Sequence, residues 1–233
     1  CSSSAPTADA GARYLLTVEY VGTAFAGSQR QPGRSTVQAE LEAALARIVP
    51  RAPPPKAFFA GRTDAGVHAT AMTVHVELQR RDKAGNAQEP FEPSALLNAL
   101  NNFLGERCGV VSALRVPRSL DARWSATMRT YVYRIKCGSG AAAAPPADEL
   151  RCVGLGPLRG DCCRSLTRRG WISAHDAHRA FCLPEALDVD AMQSAAAVLV
   201  GRHDFTSFRA AKCAAKSPVR DLVELSVIEE EPA

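Results

Sequence analysis

The sequence has no long apolar run. Its longest candidates are short stretches such as Ala195 to Val200, well below the roughly 18 residues that a helix needs to span a bilayer, so no membrane partner is expected. No repeat with a period of about 20 to 50 residues is visible, which excludes a solenoid. The cysteines at 1, 108, 137, 152, 162, 163, 182 and 213 form neither a C-x-x-C pair nor a Cys/His cluster at zinc spacing, and no structural metal is expected. Without a signal peptide they read as reduced thiols of an intracellular protein, although adjacent Cys162 and Cys163 can oxidise adventitiously. Cytoplasm and organelle, mitochondrion or plastid, stay open as compartments. The first residue is Cys1 and not Met, so the natural N-terminus is expected to be missing. Ser2 to Ala12 then reads as a frayed end, with the tail of a transit peptide as the other reading. Charge of one sign is also scarce: the net +4 permits an anionic partner such as RNA without requiring one.

What is present is an ordinary globular composition. Of 233 residues 46% are hydrophobic and 22% charged, which excludes disordered, collagen-like and coiled-coil chains and allows one or two domains. Arg13 to Tyr20 predicts a strand, followed by a loop from Val21 to Arg34 punctuated by Gly22, Gly27, Pro32 and Gly33. Ser35 to Gln38 has the form of a capping box, and Val37, Leu41, Leu45 and Ile48 recur at helical spacing until Pro50. Phe58 to Ala60 is short and apolar, Met72 to Leu78 alternates as a strand, and Arg80 to Glu89 is a polar turn. Pro93 to Leu104 suits a helix and Gly109 to Val116 a strand. Helices interspersed with strands predict an α+β layering with helices on one face of a sheet.

In the second half, Thr130 to Lys136 predicts a strand with Tyr131, Tyr133 and Ile135 on one face, Tyr133 being read as a core aromatic. Gly138 to His178 reads as an inserted loop, and its Arg164, Arg168 and Arg169 as a solvated cluster. Asp190 to Gly201 predicts a helix capped by Asp188 or Asp190, and Arg220 to Glu229 a strand. The C-terminal part is expected to be truncated.

Gly61 to His68 carries the densest chemistry. Arg62 stands two residues before Asp64 between Gly61 and Gly66, a spacing that can set a carboxylate beside a guanidinium and keep it ionised, as a nucleophile must be. On pattern alone a plain Asp turn between two strands, with Thr63 and Asp64 capping backbone amides, is the stronger reading. His68, His75 and His203 show no acid or metal partner in spacing and read as structural.

The string Gly-Arg-Thr-Asp-Ala-Gly-Val-His at 61 to 68 resembles the signature of the TruA family of tRNA pseudouridine synthases. Other segments agree in order: Tyr20 to Thr23 with Gly27-Ser28-Gln29, Val37-Gln38 with Leu41-Glu42, Asp121-Ala122-Arg123 through Arg129-Thr130-Tyr131-Val132-Tyr133, Gly201 to Phe205 with Phe208, and Ser217 to Arg220. Ordered agreement across roughly positions 13 to 227 is far more specific than any single short motif. The resemblance implies an enzyme that isomerises a uridine in tRNA without metal or organic cofactor. It implies Asp64 as catalytic aspartate, Arg62 and Tyr131 as residues that hold and stack the flipped nucleotide, and Arg123 and Arg129 as RNA ligands, although exposed arginines are as often merely solvated. It implies a homodimer and two ferredoxin-like halves with antiparallel sheets. The first, 13–116, would carry the Asp loop, and the second, 117–233, would be incomplete, with an RNA cleft between them.

Two departures bear on the first loop: Ser28 stands where the family usually carries Trp and Val21 where it usually has Asp, as in a divergent eukaryotic branch. They leave open a tRNA-binding or tRNA-folding protein on the same scaffold that does not turn over. A glycoside hydrolase would need a second acid near Asp64, for which Asp121 and Asp204 are the candidates in sequence.

Overall fold

Alternation sends Tyr14, Leu16, Val18 and Tyr20 of β1 (Ala12–Tyr20) to one face, where all four are buried. The computed structural model describes residues 11–137, 179–183, 186–209 and 217–230 and divides into two units between Tyr131 and Val132. In the first unit β1 pairs antiparallel with β3 (Ala69–Leu78) on one side and with β4 (Cys108–Val116) on the other. β2 (Ala57–Phe59) pairs antiparallel with β3, which gives the sheet order β2-β3-β1-β4. Helices α1 (Val37–Ile48) and α2 (Pro93–Phe103) follow β1 and β3 and pack against one another.

The core contains the inward residues of β1 with Val74, Val76 and Leu78 of β3, Val110 of β4, Val37, Leu41 and Leu45 of α1, and Leu96 and Leu100 of α2. Each such side chain contributes about 1.5–3 kcal/mol by leaving water, so this layer outweighs any single polar contact in the unit. The predicted strands and helices of this half are present. One local expectation is corrected: the cap of α1 is Thr36, whose hydroxyl accepts from the Ala39 amide, and not Ser35. Gln38 does not reach back to close a capping box. Its side chain bonds the Arg30 amide, Glu42 and the Ala57 carbonyl, tying the helix to the first loop and to β2.

The first unit runs past the Val116/Pro117 boundary expected from sequence, because residues 117–131 fasten back onto the sheet. The Arg13 guanidinium donates to the carbonyls of Arg118 and Leu120 and pairs with Glu77. The Ala122 amide donates to Nδ1 of His75 at 3.0 Å, and Arg129 donates to the Ala60 carbonyl at 2.7 Å. His75 is 3% exposed and stacks on Phe58, so it is structural as expected. It does have an acid nearby, since its Nε2 lies 3.9 Å from an Asp121 oxygen, a pairing across the fold that spacing could not reveal.

In the second unit β5 (Ile135–Cys137) pairs parallel with β6 (Phe181–Leu183), and β7 (Gly201–Asp204) pairs antiparallel with β8 (Val219–Leu222). Between them α3 (Val189–Leu199) is capped by Asp188, whose carboxylate accepts from the Ala191 amide. The expected strands at Thr130 to Lys136 and Arg220 to Glu229 shrink to β5 and β8. Their partners are only three and four residues long, and alternation beyond a partner's end has no ladder to join. Tyr133 is correspondingly 75% exposed and not a core aromatic. The insert expected at 138–178, with its arginine cluster, lies outside the described residues. Among those described, no helix is long and apolar enough to cross a membrane.

Burial holds the His75 imidazole below its ordinary 6.5; Arg13 adds to the effect, while Asp121 and Glu77 oppose it. An unfolded chain takes up the proton first, so the stability tied to neutral His75 is complete above the ordinary value and is lost as pH falls through it toward the lower folded value. Urea unfolding between about pH 5 and 8 is expected to show that decline. His75→Asn, whose side-chain oxygen can still accept from Ala122, is expected to flatten it; an unaltered pH slope in the variant would remove His75 as its source.

Candidate active site

Two loops meet beyond the end of β1. The first leaves Tyr20, makes a short 3-10 turn at Gly22–Ala24 and returns through Ser28 toward α1; the second, residues 61–68, joins β2 to β3. Thr63 is where they lock. Its amide donates to the Ser28 hydroxyl at 2.9 Å, its carbonyl accepts from the Ser28 amide at 3.1 Å, and its hydroxyl lies 2.9 Å from that of Tyr20. Burial pushes the Tyr20 phenol up, so this partner is a neutral hydroxyl. The Ser28 carbonyl in turn accepts from the Gln38 amide, which fixes the lock to the first turn of α1.

A second fastening follows immediately. The Val67 amide donates to the Asp64 carbonyl, closing a tight turn whose third residue, Gly66, has φ +83°, and the Gly66 amide donates to the Phe25 carbonyl. The loops approach so closely at Gly22 that a Cβ there would stand 2.0 Å from the Val67 carbonyl oxygen.

With Thr63 turned inward, Arg62 and Asp64 on either side of it are both exposed. The ion pair expected between them is absent among the described residues: in open solvent, holding two side chains in one geometry costs about what the pairing returns. The carboxylate of Asp64 bonds to none of the described residues. Arg129 sits at the base of the loop, where a Cβ on Gly61 would lie 3.4 Å from its Nε. Arg123 lies over the Trp124 ring, 5.2 Å from its centroid, in a turn that Asp121 caps. Tyr131, the last residue of the first unit, is 80% exposed and has no ring partner among the described residues. The structure thus places Asp64, Arg62 and Arg129 on or against one loop, while Arg123 belongs to a separate turn.

The two other candidate acids are each held by local hydrogen bonds. Backbone amides of Trp124 and Arg123 hold the Asp121 carboxyl below the usual range, and the Thr206 hydroxyl and amide do the same for Asp204, so each carboxylate is engaged in its own turn. Burial pushes the Cys108 thiol up to about 12, which keeps it protonated and unreactive. Among the described residues no group of His, Cys, Asp and Glu is placed to hold a metal ion. Sequence reasoning marked Ser28 as a departure from the resembled family and Thr63 as a residue able to cap amides, but missed that Tyr20, Ser28 and Thr63 meet, because no local spacing reports contact between two loops.

A family model described as tRNA pseudouridine synthase matches residues 195–233, which take in the C-terminal end of α3 and the β7/β8 pair. The chain is 41% identical over 216 residues to tRNA pseudouridine synthase A of Methylobacterium nodulans, an alignment that covers 92% of this chain and 68% of that protein. It is 38% identical to the protein of the same name from Cereibacter sphaeroides, again over 92% and 68%. To that of Beijerinckia indica it is 39% identical, over 92% and 67%.

The contact at Gly22 gives a direct test. Gly22→Ala must push the two loops apart and is expected to cost about 1–3 kcal/mol, the usual range for overpacking. Gly105→Ala, whose Cβ meets nothing within 4 Å, should leave the thermal midpoint nearly unchanged. Equal midpoints for the two variants would mean that the loops are not in contact as described.

Proposed function

This chain belongs to the tRNA pseudouridine synthase family, and we propose that it isomerises a uridine in tRNA to pseudouridine with Asp64 as the catalytic carboxylate. The observation that carries the reading is the presentation of Asp64: an exposed carboxylate with no partner among the described residues, on a loop whose backbone is fixed at Thr63 and Gly66. The anchors described use backbone groups of the loop and the Thr63 hydroxyl, and leave the side chain of its one acid available to a substrate.

The reaction balances without a redox partner. The bond from the sugar C1′ to N1 of the base breaks, the base turns, C5 bonds to C1′, the proton on C5 leaves, and N1 takes up a proton, so the product is an isomer of the substrate. A carboxylate close to the sugar and base can stabilise the separated fragments and take part in the proton transfer. The target is stacked in a folded RNA, so it must first be extruded, at a cost of a few kcal/mol. In this reading Arg62, exposed beside Asp64, holds the extruded nucleotide, and Tyr131 stacks on its base with a free ring face. Arg123 and Arg129 contact backbone phosphates. The reading also includes two ferredoxin-like halves, a homodimer, and no cofactor. The β1-α1-β2-β3-α2-β4 order of the first unit, with every neighbour antiparallel, supports the first of these for the N-terminal half.

Tritium released from tRNA carrying 5-tritiated uridine measures the loss of the C5 proton. Asp64→Asn is expected to lower the release at least about a hundredfold while tRNA is still bound. Undiminished release from the variant would overturn the assignment of Asp64, and binding without release by the wild-type protein would favour a scaffold that only binds tRNA.

A further inference from the structure

We infer that Ser28 and Tyr20 are positioning residues for Asp64: they hold Thr63 from two sides and thereby set where the neighbouring carboxylate stands. The inference rests on the reading of Asp64 as the catalytic group. Ser28 is 1% exposed, and its hydroxyl accepts from the Thr63 amide while its own amide donates to the Thr63 carbonyl. Two such bonds on one residue fix both the position and the rotation of the peptide units that flank it, and the Tyr20 hydroxyl adds a third point through the Thr63 side chain. Asp64 is the next residue along.

The hydroxyl contact of the lock depends on serine at position 28. An indole, the side chain that the resembled family usually carries at this position, has one N–H donor and no acceptor, so it cannot receive the Thr63 amide as a hydroxyl does. Removing the Ser28 oxygen would leave the Thr63 amide without its acceptor, while the amide of residue 28 could still donate to the Thr63 carbonyl. The loop would stay docked but could rotate about the remaining contact. Arg123, Arg129 and Tyr131 are not touched by that change, and Arg62, which flanks Thr63 on its other side, is a long side chain that can still reach a nucleotide after a small rotation, so tRNA binding should be largely preserved and the chemical step should suffer.

The test uses the full chain with tRNA, reading turnover at saturating substrate and tRNA affinity separately. Ser28→Ala is expected to lower kcat by about tenfold with affinity unchanged, since misplacement of a reacting group by a fraction of an ångström is felt mainly in rate. Tyr20→Phe, which removes only the hydroxyl, should lower kcat by a smaller factor. The double variant should lose less than the product of the two losses, because both act through Thr63. If Ser28→Ala shows no cooperative thermal transition, Tyr20→Phe decides: reduced kcat supports the inference and wild-type kcat overturns it. Parallel losses of affinity, kcat and thermal midpoint would indicate a merely structural role and overturn it as well. Asp64→Asn separates the two readings. If it is inactive while Ser28→Ala and Tyr20→Phe turn over at the wild-type rate, only the positioning role fails; if it is active, the reading of Asp64 fails first.

Discussion

The backbone of Thr63 is held on one side by the amide and hydroxyl of Ser28 and, through its side chain, by the hydroxyl of Tyr20, and the rest of the site follows from that. In an extended segment, turning one side chain inward sends its neighbours outward. Thr63 faces the end of β1, so Arg62 and Asp64 are both exposed. The lock in turn depends on β1 ending at Tyr20 on the buried side of the sheet, and on a first loop that returns tightly enough to set Ser28 against the second. The close approach at Gly22 and the bond from Gly66 to Phe25 make that return possible. A chain of causes therefore runs from the alternation of Tyr14, Leu16, Val18 and Tyr20 to the placement of a single carboxylate.

The segment after β4 is joined to the same frame by different means. Arg13 and His75 hold residues 118–122, and Arg129 closes onto Ala60 at the foot of the Asp loop. The neutral bond contributes about 0.5–1.5 kcal/mol net and those from the guanidinium groups up to about 1.5–3 kcal/mol, so these contacts direct the chain as well as stabilise it. Their effect is that the arginines of the Asp121 to Arg129 segment are referred to the sheet that carries Asp64, and do not hang on a loose connection between units.

Most of the first unit was legible in the sequence because its signals were local and reinforced by burial. Helical spacing at Val37, Leu41 and Leu45 and strand alternation in β1 and β3 each decide which face becomes core. The Asp loop stood out through its glycines and through its resemblance to a known motif. What could not be read was pairing at a distance. His75 meets Asp121 and Ala122 only in the fold, and Ser28 meets Thr63 only because two loops converge. Thr36 rather than Ser35 caps α1, a choice between adjacent hydroxyls that depends on where the chain enters the helix. The tyrosines after Thr130 alternate like a strand, but alternation says nothing about whether a neighbouring strand is long enough to pair with them. The expected pair of Arg62 with Asp64 failed for an energetic reason: spacing permits contact, and exposure removes the gain.

A carboxylate fixed by backbone hydrogen bonds suits a substrate that must be extracted before it can react. Extrusion already costs a few kcal/mol, and ordering a flexible loop at the moment of binding would add roughly 1–2 kcal/mol for each backbone residue fixed. Over residues 61–68 such a charge would exceed what any one stacking or phosphate contact returns. Here that ordering is completed when the protein folds, by the contacts to Ser28, Phe25 and Tyr20, and the entropy is lost against the hydrophobic core instead of against the RNA. The Arg62 and Asp64 side chains keep their rotameric freedom in solvent. The part of the site still to be ordered on binding is therefore a pair of side chains, a cost small enough for contacts with a single flipped nucleotide to meet.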